Sequence, residues 1–106
     1  MINNFNDSDW EEKIKKETVS IIQFSASWCS PCKALTPVLE NLSNEAQYKD
    51  CNFWYADIET DGINTGSAMG IRGVPSTICF KRGVEVDRLI GFPGEAKVKE
   101  FLDKNI

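Results

Sequence analysis

The chain has 106 residues, 42% of them hydrophobic and 26% charged, with a net charge of −4. That is enough for one domain with one core, and the balance excludes a disordered or fibrous chain. Acids and bases are interspersed without a basic patch, so nucleic acid is not an expected ligand, and the apolar runs are far too short to span a bilayer.

The opening residues, MINNFNDSDW, have no basic stretch followed by an apolar one, so no secretory signal is expected. The expected location is the cytoplasm, where structural disulfides are rare, so the four cysteines should not be a stapling framework. There is no histidine, which excludes Ser-His-Asp and Cys-His pairs and the common His-containing zinc sites.

In chain order, NDSDWEEKIKKE reads as a first helix, with Ser8 and Glu11 at capping-box spacing and acids ahead of lysines. Residues 18–26, TVSIIQFSA, are β-branched and apolar, as in a buried strand. From Ser30 to about Ala46 the period changes. Leu35, Val38, Leu39, Leu42 and Ala46 recur on one helix face, and Pro37 inside the pattern should kink it. Residues 51–58, CNFWYADI, read as a second buried strand, followed by a polar stretch with a short helix near Thr65 to Met69. Residues 76–91 hold two strand-like runs around Arg82-Gly83, a hairpin signal. GEAKVKEFLDKN closes the chain as a helix with Val98, Phe101 and Leu102 on one face. The order α-β-α-β-α-β-β-α predicts an α/β fold with a mixed sheet covered by helices.

Cys29 and Cys32 fall where a buried strand ends and a helix begins. Three residues apart on a helical turn, their sulfurs can come close enough to bond. Pro31 suits a first turn, where its missing N–H costs nothing. A thiolate at a helix N-terminus meets unpaired N–H groups and the positive end of the dipole, which lowers its pKa, and the thiolate is the nucleophile of disulfide exchange. Lys33 adds a nearby cation. Cys29 is thus expected to attack, and Cys32, one turn in and more shielded, to resolve. A zinc site would need Cys51 and Cys79 to converge on the pair. They lack a second C-x-x-C spacing and read better as small buried apolar residues.

WCSPCK resembles the active-site motif of the thioredoxin family, in which glycine more often stands at the place of Ser30. The resemblance covers nearly the whole chain. ALTPVLENL is similar to the family's kinked second helix, GIRGVPSTICFKRG to its cis-proline segment, and IGFPGEAKVKEFL to its last strand and helix. It implies a single thioredoxin domain over residues 1–106, a mixed central sheet with helices on both faces. It also implies a cis Val74-Pro75 bond whose loop faces the cysteines, with the Val74 backbone pairing to an extended substrate segment. Pro75, lacking an N–H, leaves no donor aimed at the sulfurs. Trp28, Gly73, Val74, Gly91 and Phe92 would form an apolar rim, Phe92 being bulkier than the residue common at its place. The implied activity is reduction of disulfides in target proteins by dithiol–disulfide exchange. The implied partners are disulfide-containing proteins and a thioredoxin reductase, with no metal, organic cofactor, nucleic acid or membrane, and the chain is expected to work as a monomer.

The chain departs from the family at three positions. Gln23 stands where most members bury an aspartate that takes the proton of the second cysteine, and Tyr55 where a lysine commonly pairs with it. Losing both charges together leaves no unpaired buried ion. Glutamine cannot accept a proton. Asp57, two residues after Tyr55 and so on the same strand face, is a candidate substitute, while Gln23 itself reads as a buried, hydrogen-bonded amide. Ser25 stands where an aromatic often packs, which predicts a looser or wetter active-site turn. The other class of function compatible with these changes is a thioredoxin-like interaction module with little redox turnover. An oxidant or isomerase of the same fold typically carries histidine between its cysteines, and this chain has none.

Overall fold

The structure, a computed structural model, describes residues 1–106. The apolar run that reads as a buried strand is β2 (Ser20–Ser25), and every one of its residues is buried. Such a run is apolar on both faces because both faces are covered. Ile21 points to a cluster with Leu35, Leu39 and Leu42 from α1 (Ser30–Ser43) and Val98, Phe101 and Leu102 from α3 (Glu95–Asn105). Ile22 and Phe24 point to the opposite cluster, with Phe5, Ile14, Trp54, Ile78 and Phe80.

β2 is the middle strand of a five-stranded sheet ordered β1-β3-β2-β4-β5. β3 (Asn52–Asp57) runs parallel to it on one side and β4 (Ser76–Lys81) antiparallel on the other. β5 (Val84–Ile90) completes a hairpin with β4. The two residues of that turn, Arg82 and Gly83, have φ of 50° and 80°, the geometry that matches a tight turn to strand twist. Glycine is required at the second place for a further reason: a Cβ there would stand 2.9 Å from Lys15 Cγ. The short helix α2 (Ile63–Ala68) follows β3.

The N-terminal segment differs from the expectation. A three-residue strand, β1 (Ile2–Asn4), pairs parallel to β3 at the edge of the sheet. Its Ile-Asn-Asn sequence has no strand pattern, and its pairing comes from β3 rather than from its own propensity. The expected first helix is one π-helical turn, Trp10–Ile14. Ser8 and Glu11 form no capping box. Instead the Asp9 carboxylate accepts from the Asn6 amide at 2.9 Å, and the Asn6 side chain accepts from the Ser8 amide at 3.1 Å. These local bonds compete with a regular helix start. α1 likewise ends at Ser43, short of Ala46, which opens a separate 3₁₀ turn, Ala46–Tyr48.

Candidate active site

β2 ends at Ser25 and α1 begins at Ser30, so the connection carries the cysteine pair to the C-terminal end of the central strand. Cys29 is the N-cap of α1, in extended backbone at φ −87°, ψ 110°, and Cys32 lies in the first turn with Pro31 ahead of it. The two are joined by a disulfide, their Cα atoms 5.3 Å apart. The Cys32 amide donates to Cys29 Sγ at 3.2 Å. The sulfur thus takes the place that a serine or aspartate oxygen takes in an ordinary cap. Hydrogen bonds strengthen when the acceptor is ionised, and the helix dipole acts in the same direction, so this geometry favours negative charge on Cys29 when the bond is open.

The pair sits in a small apolar cluster with Ala26, against which Ile58 and Val74 pack. Cys29 is 3% exposed and Cys32 1%, both buried. Trp28 is 66% exposed beside it, and Ser30 and Pro31 are exposed. The Val74-Pro75 bond is cis. Its loop is fastened by two bonds: the Gly91 amide donates to the Pro75 carbonyl at 2.8 Å, and Ser76 Oγ to the Gly73 carbonyl at 2.6 Å. Gly91 has a φ of 81°, which reserves that corner for glycine. The structure therefore groups Cys29, Cys32, Val74, Pro75 and Gly91. Phe92 is placed differently: half-buried, it packs against the cluster under α1 and α3.

Behind the pair lies a polar group of residues. Gln23 is fully buried, and its Nε2 lies 2.8 Å from Ser25 Oγ, 3.0 Å from Thr36 Oγ1 and 3.2 Å from the Cys32 carbonyl. Thr36 Oγ1 also donates to that carbonyl, at 2.9 Å. Ser25 is fully buried, so the expected wetter turn is not found; the space is filled by hydrogen bonds. Burial, with the Asp57 charge adding, pushes the Tyr55 phenol above its ordinary range, against the opposing Ser25 hydroxyl. Asp57 is on the expected strand face, but its carboxylate accepts from the Glu59 amide at 2.8 Å and makes no hydrogen bond to Cys32. Lys33 lies on the outer side of α1, lining an open groove with Thr36, Glu40 and Tyr55.

The other cysteines belong to the α1/α3 side of the sheet, apart from the pair. Burial pushes the Cys79 thiol up to about 11 and raises that of Cys51, so both stay protonated at neutral pH. Thr36 is the residue that sequence reasoning missed. Its position four residues after Cys32 is a usable signal, because a helical threonine can bond the carbonyl one turn back.

Residues 1–104 match the sequence model of the family described as Thioredoxin. A thioredoxin of Staphylococcus epidermidis is 34% identical over 100 residues, which are 94% of this chain and 93% of that protein. Thioredoxin M4, chloroplastic, of Arabidopsis thaliana is 36% identical over 105 residues, 97% of this chain, and the chain spans 51% of its length. Among solved structures, the thioredoxin of Malassezia sympodialis matches with a TM-score of 0.89 at 24% identity, covering 99% of this chain and 90% of that one, a likeness of fold.

Proposed function

The chain belongs to the thioredoxin family, and from that premise we propose that it reduces disulfides in other proteins, with Cys29 as the attacking and Cys32 as the resolving sulfur. Its class of chemistry is thiol–disulfide oxidoreduction. The observation that carries the assignment of roles is the Cys32 amide bonded to Cys29 Sγ, which makes Cys29 the sulfur favoured to bear charge.

In the reduced protein the Cys29 thiolate attacks one sulfur of a target disulfide. That bond breaks, the departing target sulfur takes a proton, and Cys29 is left in a mixed disulfide. Cys32 then gives up its proton and attacks Cys29 Sγ. The second target sulfur leaves as a thiol, the target has gained two electrons and two protons, and the protein is in the disulfide form that the structure contains. Electrons return from a reductase that reopens Cys29–Cys32. The target segment lies extended along Val74, its main chain pairing there, with Trp28, Gly73 and Gly91 beside it. We place the protein in the cytoplasm, working as a monomeric single domain without metal or organic cofactor. No helix is long and apolar enough to cross a membrane.

The test is insulin reduction driven by dithiothreitol. Wild type should turn over well above dithiothreitol alone, Cys29→Ser should be inactive, and Cys32→Ser should accumulate a mixed disulfide. A wild type no faster than dithiothreitol would reject reduction in favour of an interaction module.

A further inference from the structure

The first turn of α1 is tied to the sheet at one atom, the carbonyl oxygen of Cys32. Gln23 Nε2 approaches it at 3.2 Å from β2, and Thr36 Oγ1 at 2.9 Å from the next helical turn. Gln23 Nε2 has two hydrogens: one is taken by Ser25 Oγ at 2.8 Å, and the other is shared between the Cys32 carbonyl and Thr36 Oγ1, at 3.0 Å from the latter. Every partner in this group is uncharged: the Gln23 amide, the Ser25 and Thr36 hydroxyls and the Cys32 carbonyl. Thr77, the cross-strand neighbour of Gln23 on β4, is fully buried and neutral as well.

The titratable groups around it come from two elements besides Cys29. From β3, Tyr55 faces Ser25 and is held neutral by burial, while Asp57 is engaged by the Glu59 amide. From α1, Lys33 and Glu40 lie out in the groove, the Glu40 carboxylate accepting from the Ile2 amide at 2.8 Å. β2 and β4 contribute none at this level: Gln23, Ser25, Ser76 and Thr77 are all uncharged.

We propose that Gln23 and Thr36 are positioning residues for the resolving step: by gripping the Cys32 carbonyl they keep Cys32 Sγ within reach of Cys29 after the disulfide opens, and, being uncharged, they leave Cys32 to lose its proton to water before it attacks. The proposal rests on the reading of Cys32 as the resolving residue. In the step, the Cys32 thiol gives its proton to water, and the thiolate forms the Cys32–Cys29 bond. The bond from Cys29 to the target sulfur breaks, and the target sulfur leaves with the electron pair, taking a proton from water where its own pKa calls for one. No side-chain base, oxidant or reductant is needed. Holding the sulfur matters because an attack within one molecule draws its speed from orientation.

The experiment uses the full chain with Cys29 in a mixed disulfide to 5-thio-2-nitrobenzoate, whose coloured release by Cys32 is followed by stopped flow. Thr36→Val keeps the side-chain shape and removes the hydroxyl. It should slow release about tenfold, the scale of one lost hydrogen bond. Thr36→Ser should restore most of the rate. Alkylation of reduced Cys29 should run at the wild-type rate in both, which a general loosening of the fold would not leave untouched. The wild-type rate should rise with pH in one step, the thiol's own, and Gln23→Glu should add a second, carboxylate step. Thr36→Val releasing at the wild-type rate, Thr36→Ser as slow as Thr36→Val, or a carboxylate step in wild type would each overturn the proposal. The readout needs no protein target, so failure on insulin leaves it standing. A wild type that releases nothing would remove Cys32 from the resolving role, and the proposal with it.

Discussion

Thr77 carries the one buried side-chain polar atom with no hydrogen-bond partner. It sits on β4 between Gln23 and Leu89, fully enclosed. An unpaired buried hydroxyl costs roughly 1–3 kcal/mol, whereas an apolar group of the same shape costs nothing there. Thr77→Val should therefore raise stability by about 1 kcal/mol, read as a higher denaturation midpoint at unchanged slope. A lower midpoint would mean that the hydroxyl is bonded in solution. Tyr48 is the opposite case. Its hydroxyl donates to Asp103 at 2.5 Å and accepts from Lys99 at 3.2 Å, pinning α3 to the turn after α1. Tyr48→Phe should cost about 1 kcal/mol by the same measurement. At this scale the sequence shows which residues are exceptional but not what satisfies them. Gln23 stands out as an amide in an apolar run, and Cys29, Cys32 and Pro75 stand out by spacing. Of the partners of Gln23, Ser25 is two residues along the same strand, but Thr36 and the Cys32 carbonyl come from another element and are met only through space. Asp57 shows the converse. Strand alternation puts it on the right face, yet a backbone amide two residues on takes its carboxylate.

α2 spans six residues, too few to be stable as an isolated helix. Its cap comes from the far end of the chain. The Asp7 carboxylate accepts from the Thr65 amide at 2.9 Å, the Thr65 hydroxyl at 2.8 Å and the Asn64 amide at 3.1 Å. These are orphan donors of a first helical turn, and the negative charge also suits the dipole. Removing an N-cap side chain costs about 1 kcal/mol, so Asp7→Ala should destabilise the protein by about that much and lose amide protection first at Asn64 and Thr65 in hydrogen exchange. Protection unchanged there would show that packing of Thr65 and Gly66 alone holds the helix. Such a cap is invisible in the order of residues because its two halves are 58 apart. Elements with their own signal are readable: the three- and four-residue period of α1, the apolar run of β2, the Arg82-Gly83 hairpin. β1 and the π-helical turn are not. The first borrows its conformation from the β3 edge. The second has helix-forming composition, but Asn6 and Asp9 spend their side chains on local backbone bonds.

Two carboxylates join distant parts of the whole molecule, and they set its response to acid. For Asp7, burial pushes the pKa up, but the three bonds from Thr65 and Asn64 together outweigh it and hold the carboxyl below its ordinary value. For Asp87, the Asn105 side chain, then the Arg88 amide, lower it, with Lys104 adding; these bonds tie the last turn of α3 to β5. A carboxyl depressed in the folded state stabilises fully above its unfolded pKa, about 3.9, and loses that contribution as pH falls through the folded value. At the other end, burial raises Cys51, Cys79, Tyr48 and Tyr55. Groups raised in the folded state contribute fully below their unfolded pKa and lose it as pH rises, the thiols from about 8.5 and the phenols from about 10. The disulfide form should therefore hold a flat stability between about pH 5 and pH 8, falling on both sides. Asp7→Asn with Asp87→Asn should be less stable than wild type on the plateau and converge with it as pH drops below about 4, because the proton has by then removed in wild type what the amides removed in the variant. Denaturant midpoints measured from pH 2 to pH 9 on both proteins decide it. Parallel curves across the acid limb would assign acid sensitivity to other carboxylates and leave Asp7 and Asp87 as ordinary surface charges.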